Sequence, residues 1–208
     1  MSLIKLDHIA FGVTNLGVGI AEMSKLLGAK PIGGGKHALF GTHNAIWRLE
    51  GKFATYLEVI AIDPDAPEPQ ICRWFGLDDL DVQVRIADGP GLLTFIVNTN
   101  DILAARKNMP SDPGEPVEVS RGDLKWQFSL QKTGALVENG ALPYLIEWPR
   151  GPKPVEAMPN QNIRLQSIGG NRLGELNFEW PCEAVPTEKS LEVTLVSASG
   201  QLKTFCAA

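Results

Sequence analysis

The sequence predicts an α+β fold in which one unit, a strand, a helix and three more strands, occurs twice and is followed by a β-rich tail. Three observations predict it. An alternating stretch runs straight into a helix signature at Leu6–Leu27, and a second such junction lies at Leu92–Met109. Setting Asn15-Leu16 against Asp101-Ile102 brings His8 opposite Thr94 and Ile9, Phe11 and Val13 opposite Phe95, Val97 and Thr99, so the helix-facing side stays mainly apolar. The last strand of each unit carries a lone carboxylate: Glu58 follows His8 by 50 residues, and Glu147 follows Thr94 by 53. An internal duplication accounts for all three.

The elements follow in order. Leu6–Val13 alternates as a strand, with Ile9, Phe11 and Val13 on one face, Asp7 at its leading edge, and Leu6, His8, Ala10 and Gly12 on the other. Asn15 caps a helix whose Leu16, Ile20, Met23 and Leu27 recur near 3.6-residue spacing, and Gly28 ends it. Pro31–Gly35 reads as a turn, Lys36–Phe40 as a short edge strand, and Gly41–Glu50 and Ala54–Ile62 as strands. Three prolines break Asp63–Gln70, and Asp81–Ile86 reads as a linking strand. In the second unit Leu92–Asn98 is a strand, Ile102–Met109 a helix stopped by Pro110, and Glu118–Ser120, Leu124–Leu130 and Leu142–Trp148 are strands. A proline-rich connector, Pro149–Pro159, leads to a tail with a strand at Ile163–Ile168, a helical turn near Asn171–Glu175 and a hairpin of Leu191–Ser197 with Gln201–Phe205. The expected boundaries are 4–65 for the first unit, 90–149 for the second and 160–208 for the tail, within one domain.

Composition narrows the function classes. The 208 residues carry a net charge of −5 with no run of Lys or Arg, which argues against nucleic acid or an anionic membrane as partner. No apolar run reaches the length of a membrane span, and Met1–Leu6 lacks a signal-peptide core. Cys72, Cys182 and Cys206 are odd in number and widely spaced, which reads as free thiols in a cytoplasmic setting.

Chemistry-bearing residues cluster on a few strands. His8 stands beside Ala10 and Gly12, which leave room for a ligand, against the alternative of a core histidine bonded to a carbonyl. A carboxylate amid Leu57, Val59 and Ile60 is costly unless partnered, so Glu58 is either a site residue or paired with Arg48. Glu147 is a site residue or faces solvent. His37 and His43 flank the GTHN turn, and Thr42 and Asn44 share a face with Arg48. That face offers Asn44 and Arg48 to a carbonyl or carboxylate of a small substrate, while Thr42 and Asn44 alternatively serve turn hydrogen bonds. Gln127, opposite Trp126 on its strand, is a further candidate cavity group.

The segments LDHIAFGV, GTHNAIWRL and YLEVIAIDPD, then RWFGLDD, LLTFIVNTND, SRGDLKWQFSL and ALPYLIEWP, in this order from Leu6 to Pro149, resemble the glyoxalase-like branch of the vicinal oxygen chelate superfamily. The resemblance implies two βαβββ modules forming a curved mixed sheet around a concave cleft. In enzymes of that superfamily the first and last strands of each module ligate a divalent metal. Carried over, this implies His8, Glu58 and Glu147 as ligands of Zn, Ni, Mn or Fe, with Thr94, or Leu93 one position earlier, where a fourth ligand stands. Thr94 is not an ordinary ligand for these ions, so it is instead a substrate-side position. Three readings follow: a metal-assisted lyase or isomerase with Glu147 or Glu58 moving a proton, a binding protein without the metal, and a module that presents a homodimer surface.

Overall fold

The computed structural model describes residues 4–207. The opening alternation forms β1 (Lys5–Gly12), which leads into α1 (Leu16–Leu27). Asn15 caps this helix by accepting from the Val18 N–H at 3.0 Å, and Gly28 ends it in the left-handed conformation, φ 70°. Three strands follow: β2 (Gly33–His37), β3 (Thr42–Leu49) and β4 (Thr55–Ile62). A linker with α2 (Leu80–Arg85) leads to β5 (Gly91–Asn98), α3 (Ile102–Lys107), β6 (Glu115–Arg121), β7 (Leu124–Leu130) and β8 (Tyr144–Glu147). The βαβββ order therefore occurs twice.

The eight strands form one mixed sheet in the order β2-β3-β4-β1-β5-β8-β7-β6. The two units meet along the antiparallel β1–β5 seam, and each continues outward through a parallel pair, β1–β4 and β5–β8. The sheet curls until its outer strands β2 and β6 approach one another. Glycine makes that approach feasible: a Cβ at Gly35 would stand 2.9 Å from the Cδ of Arg121 across the gap. This is why the glycine run expected as a turn is instead an edge strand.

The convex face is covered. The Trp47 indole donates to the Ala29 carbonyl beyond α1 at 2.8 Å, fixing the helix over β3. The tail forms a second sheet in the order β10-β9-β11-β12, from β9 (Arg164–Gly170), β10 (Glu183–Pro186), β11 (Glu192–Val196) and β12 (Leu202–Cys206). Phe205 packs edge-on against Phe11, and Trp180 lies against Phe95. The tail thus shields apolar residues of the central seam. The expected hairpin is present, and β10, which adds a parallel strand beside β9, was not expected. The expected linking strand at Asp81–Ile86 is the helix α2: Val82 and Ile86, four residues apart, share its buried face, while Val84 between them is exposed, so the apparent alternation is a helical spacing. No helix among the described residues is long and apolar enough to cross a membrane.

Two segments occupy the concave side. A 3-10 turn, Trp74–Gly76, places Phe75 against Phe128 and Tyr144 over the second unit. Phe75 holds φ 59°, a strained value for a bulky side chain, so the packing around it fixes this conformation. On the other side, a strap around the 3-10 turn Pro154–Ala157 crosses the cleft. Arg48 donates to the carbonyls of Val155 at 3.1 Å, Glu156 at 3.0 Å and Met158. The cleft that remains lies over the first unit.

Candidate active site

The site begins with an irregularity in β1. Pairing with β5 matches Leu6 to Val97 and His8 to Ile96, so Asp7 is an extra residue, a β-bulge. Strict alternation would send Asp7 and His8 to opposite faces. The bulge turns both toward one network, in which the Asp7 Oδ1 stands 2.9 Å from the His8 Nδ1. The parallel neighbour of His8 on β4 is Tyr56, whose ring stacks on the imidazole at 4.4 Å. Two residues along, Glu58 lies beside Ala10, whose small side chain leaves space, and its Oε2 is 3.5 Å from the His8 Nε2. His8 therefore sits between two carboxylates, and all three residues are buried.

Neighbouring elements complete the network. The Asp7 Oδ2 accepts from the Trp148 indole at 3.0 Å and from the Lys153 ammonium of the strap at 2.8 Å. Asn44 of β3 donates to the Glu58 Oε1, and its own carbonyl accepts from the Gly35 N–H at 2.9 Å and from Arg121 at 3.2 Å. Arg121 comes from the far edge strand, β6, and reaches Asn44 only because the sheet has curled.

The electrostatics follow from these partners. Burial disfavours the charged form of His8, but hydrogen bonds that it donates to Asp7 and Glu58 outweigh it and raise the imidazole pKa above its ordinary value. Burial likewise opposes ionisation of Asp7 and Glu58, yet His8 holds both below the usual carboxylate range, with Lys153 assisting at Asp7. Burial pushes the Tyr56 phenol well up, reinforced by the two carboxylates, so it stays protonated. His37 differs: burial between Trp74 and Trp126 brings it down to about 4, which keeps it neutral.

These groups open onto a narrow pocket with one polar wall and one aromatic wall. His8, Asn44, Glu58 and Arg121 form the polar side; Trp74, Phe75, Trp126 and Phe128 form the other. Phe40, Trp74 and Phe75 stack in sequence, at 4.0 and 5.2 Å.

The structure brings His8, His37, Asn44 and Glu58 together, and it separates the rest. Glu147 faces the convex side, where its Oε2 accepts from the Ile102 N–H at the start of α3 at 2.8 Å. The correction follows from the pleat of β8: Tyr144 and Ile146 point inward, so Glu147 points out. Gln127, alternating with the pocket residues Trp126 and Phe128, lines a shallow outer depression beside Glu147. Thr94 is fully buried, with its hydroxyl 3.4 Å from the Leu142 carbonyl. Thr42 supports the pocket rather than lining it, accepting from the Trp74 indole at 3.2 Å and contacting His37 at 3.3 Å. His43 lies outside the pocket, 3.9 Å from Asp63. Arg48 binds the strap and not Glu58.

The residues present do not fit the divalent centre that the resemblance implies. Of the three proposed ligands only His8 and Glu58 meet. Both nitrogens of His8 already face carboxylates, and Lys153 and Arg121 bring cationic groups to the same network. Among the described residues no group of three or more His, Cys, Asp or Glu is arranged to hold a metal ion. Asp7, Tyr56, Arg121 and Lys153 were missed as site residues. A bulge and a sheet closure bring Asp7 and Arg121 in, and neither has a signature in composition or periodicity.

Two outcomes check this geometry. Glu147→Ala removes a helix-end acceptor, so urea unfolding should show a loss of about 1 kcal/mol, with the His8 and Glu58 environment unchanged by NMR. For His37 the folded-state pKa of about 4 lies below the ordinary 6.5, so on acidification the unfolded chain takes up the proton first. The fold should therefore lose stability between about pH 6.5 and about 4, by on the order of 3 kcal/mol. In His37→Gln this contribution should vanish, so a wild-type-minus-variant stability difference independent of pH across that window would contradict the assignment.

Comparison with known proteins agrees with the architecture. A hypothetical protein from Staphylococcus aureus aligns at 15% identity with a TM-score of 0.57, covering 99% of this chain and 86% of that one. A methylmalonyl-CoA epimerase in complex with methylmalonyl-CoA and NH4+ aligns at 17% identity and TM-score 0.48, over 74% of this chain and 100% of that one. The Mycobacterium tuberculosis methylmalonyl-CoA epimerase gives 16% identity and TM-score 0.45, over 73% and 91%. At 15% identity the likeness to the Staphylococcus aureus protein concerns the fold alone. No curated protein matches the sequence. A model of the glyoxalase-like domain matches residues 6–172, and the chain belongs to that family.

Proposed function

We propose that the concave pocket binds a small oxo acid and moves a proton on it, as an isomerase or lyase does. The observation that carries this reading is the buried Asp7–His8–Glu58 chain opening onto a pocket with Arg121 at its rim. The pocket favours an anion even though the whole chain is acidic. Asp7 and Glu58 are matched against Lys153, Arg121 and, once protonated, His8, which leaves one positive charge over. Arg121 suits a carboxylate because its planar guanidinium presents paired donors, of which one is known to be engaged with Asn44. The aromatic wall takes the apolar part of the ligand.

In this reading a proton next to the substrate carbonyl passes to Glu58. The His8 imidazolium, steadied by Asp7, donates toward the oxygen on which charge develops. Tyr56 keeps the His8 ring in place by stacking. No step is routed through a metal, because the expected ligand set does not assemble. A second reading, binding without catalysis, is favoured by one observation: both His8 nitrogens and the Glu58 oxygens already have partners within the protein.

Proton exchange separates the two. With an α-oxo acid in heavy water, the protein should speed replacement of the hydrogens beside the carbonyl, read by NMR and persisting in EDTA. Glu58→Gln should slow it by roughly a hundredfold or more while the acid still binds. Binding with exchange no faster than in buffer would leave only the non-catalytic reading.

A further inference from the structure

The cleft does not end at Arg121. A second hollow shares Tyr56, Arg121 and Trp148 with the first, so these three side chains stand between the two spaces. The rest of its wall is Ile46 of β3 and the strap residues Lys153, Pro154, Val155 and Met158. The two chambers differ in chemistry. The first holds His8, Asn44 and Glu58; the second has no acidic group, and beyond the shared residues its wall is apolar except for Lys153. The Lys153 ammonium is drawn away to Asp7 at 2.8 Å, which leaves its methylene stem as further apolar wall.

The strap that closes this chamber is held in a defined position. One Arg48 nitrogen donates to three of its carbonyls, and the Arg48 N–H donates to the side chain of Gln161 at 2.9 Å. These bonds fix strap backbone and leave the Val155 and Met158 side chains to shape the cavity. A largely apolar wall beside an arginine is suited to a ligand with an acid group and an apolar arm. A second charged group would find no counter-charge there other than cations already facing carboxylates.

Resting on the reading that Arg121 takes a carboxylate, we infer that the two chambers are one binding site for an amphipathic α-oxo acid. Three groups radiate from the trigonal carbon of such an acid, and the junction offers a place for each. The carboxylate meets Arg121, the oxo oxygen faces His8 and Glu58, and an acyl or aryl arm lies along Ile46, Val155 and Met158.

Calorimetric titration of the full chain with straight-chain α-oxo acids, from pyruvate to oxooctanoate, tests this. Affinity should rise roughly fourfold per added methylene until the chamber is full, and then level off. Met158→Trp should flatten the rise with chain length. Met158→Ala should move the plateau to longer acids, and it keeps the test available if the tryptophan variant does not fold. Affinity independent of chain length, with pyruvate binding that is lost in Arg121→Met, would overturn this inference and leave the proposed function standing. Failure of every acid to bind would overturn both.

Discussion

An imidazole held between two buried carboxylates is the interaction on which the site depends. Ionised groups out of water are tolerated only when each has a partner, and here the adjacent β1 residues Asp7 and His8 partner each other while the remaining partners come from other elements. His8 needs Asp7 and Glu58, Asp7 needs Lys153 and Trp148, and Glu58 needs Asn44. Removing one member strands the rest, so the network ties β1, β3, β4 and the strap to a single arrangement. Tyr56 adds a flat ring against His8 and leaves the imidazole little freedom to turn.

The fold supplies these partners through two departures from regularity. The bulge at Asp7 puts adjacent side chains into one network, which a regular strand cannot do. Closure of the sheet then carries Arg121 from one end of the strand order to Asn44 near the other, over a glycine edge with no side chain in the way. The two units also divide their labour. In the second, Trp74 and Phe75 fill the concave surface over Phe128 and Tyr144, and the positions matching the first unit's site have structural duties: Thr94 at a backbone carbonyl, Glu147 at a helix end. In the first, the concave face stays open, and the chemistry gathers there.

Much of the fold was legible in the sequence, because periodicity and caps are local. Asn15 caps its helix where expected, and the tail hairpin lies at its expected turn. Segments whose conformation is set from afar were not legible. The Gly33–Gly35 run is a strand because it pairs with β3, and Asp81–Arg85 is helical because Val82 and Ile86, four residues apart, are the buried positions while Val84 between them is exposed. For the site, His8 and Glu58 stood out as polar residues on apolar strands and do meet. Glu147 stood out for the same reason, but the same kind of residue serves to terminate a helix, and strand parity alone sends it outward. Arg121 and Lys153 lie in exposed, polar stretches that look like solvated surface until the chain closes over them.

The most direct test is a crystal structure of the protein soaked with an α-oxo acid. This account expects the carboxylate on Arg121, with the oxo oxygen directed toward His8 and Glu58 and the His8–Asp7 contact retained. Density for a metal ion bound by His8 and Glu58, with the acid coordinated to it or absent from Arg121, would contradict it.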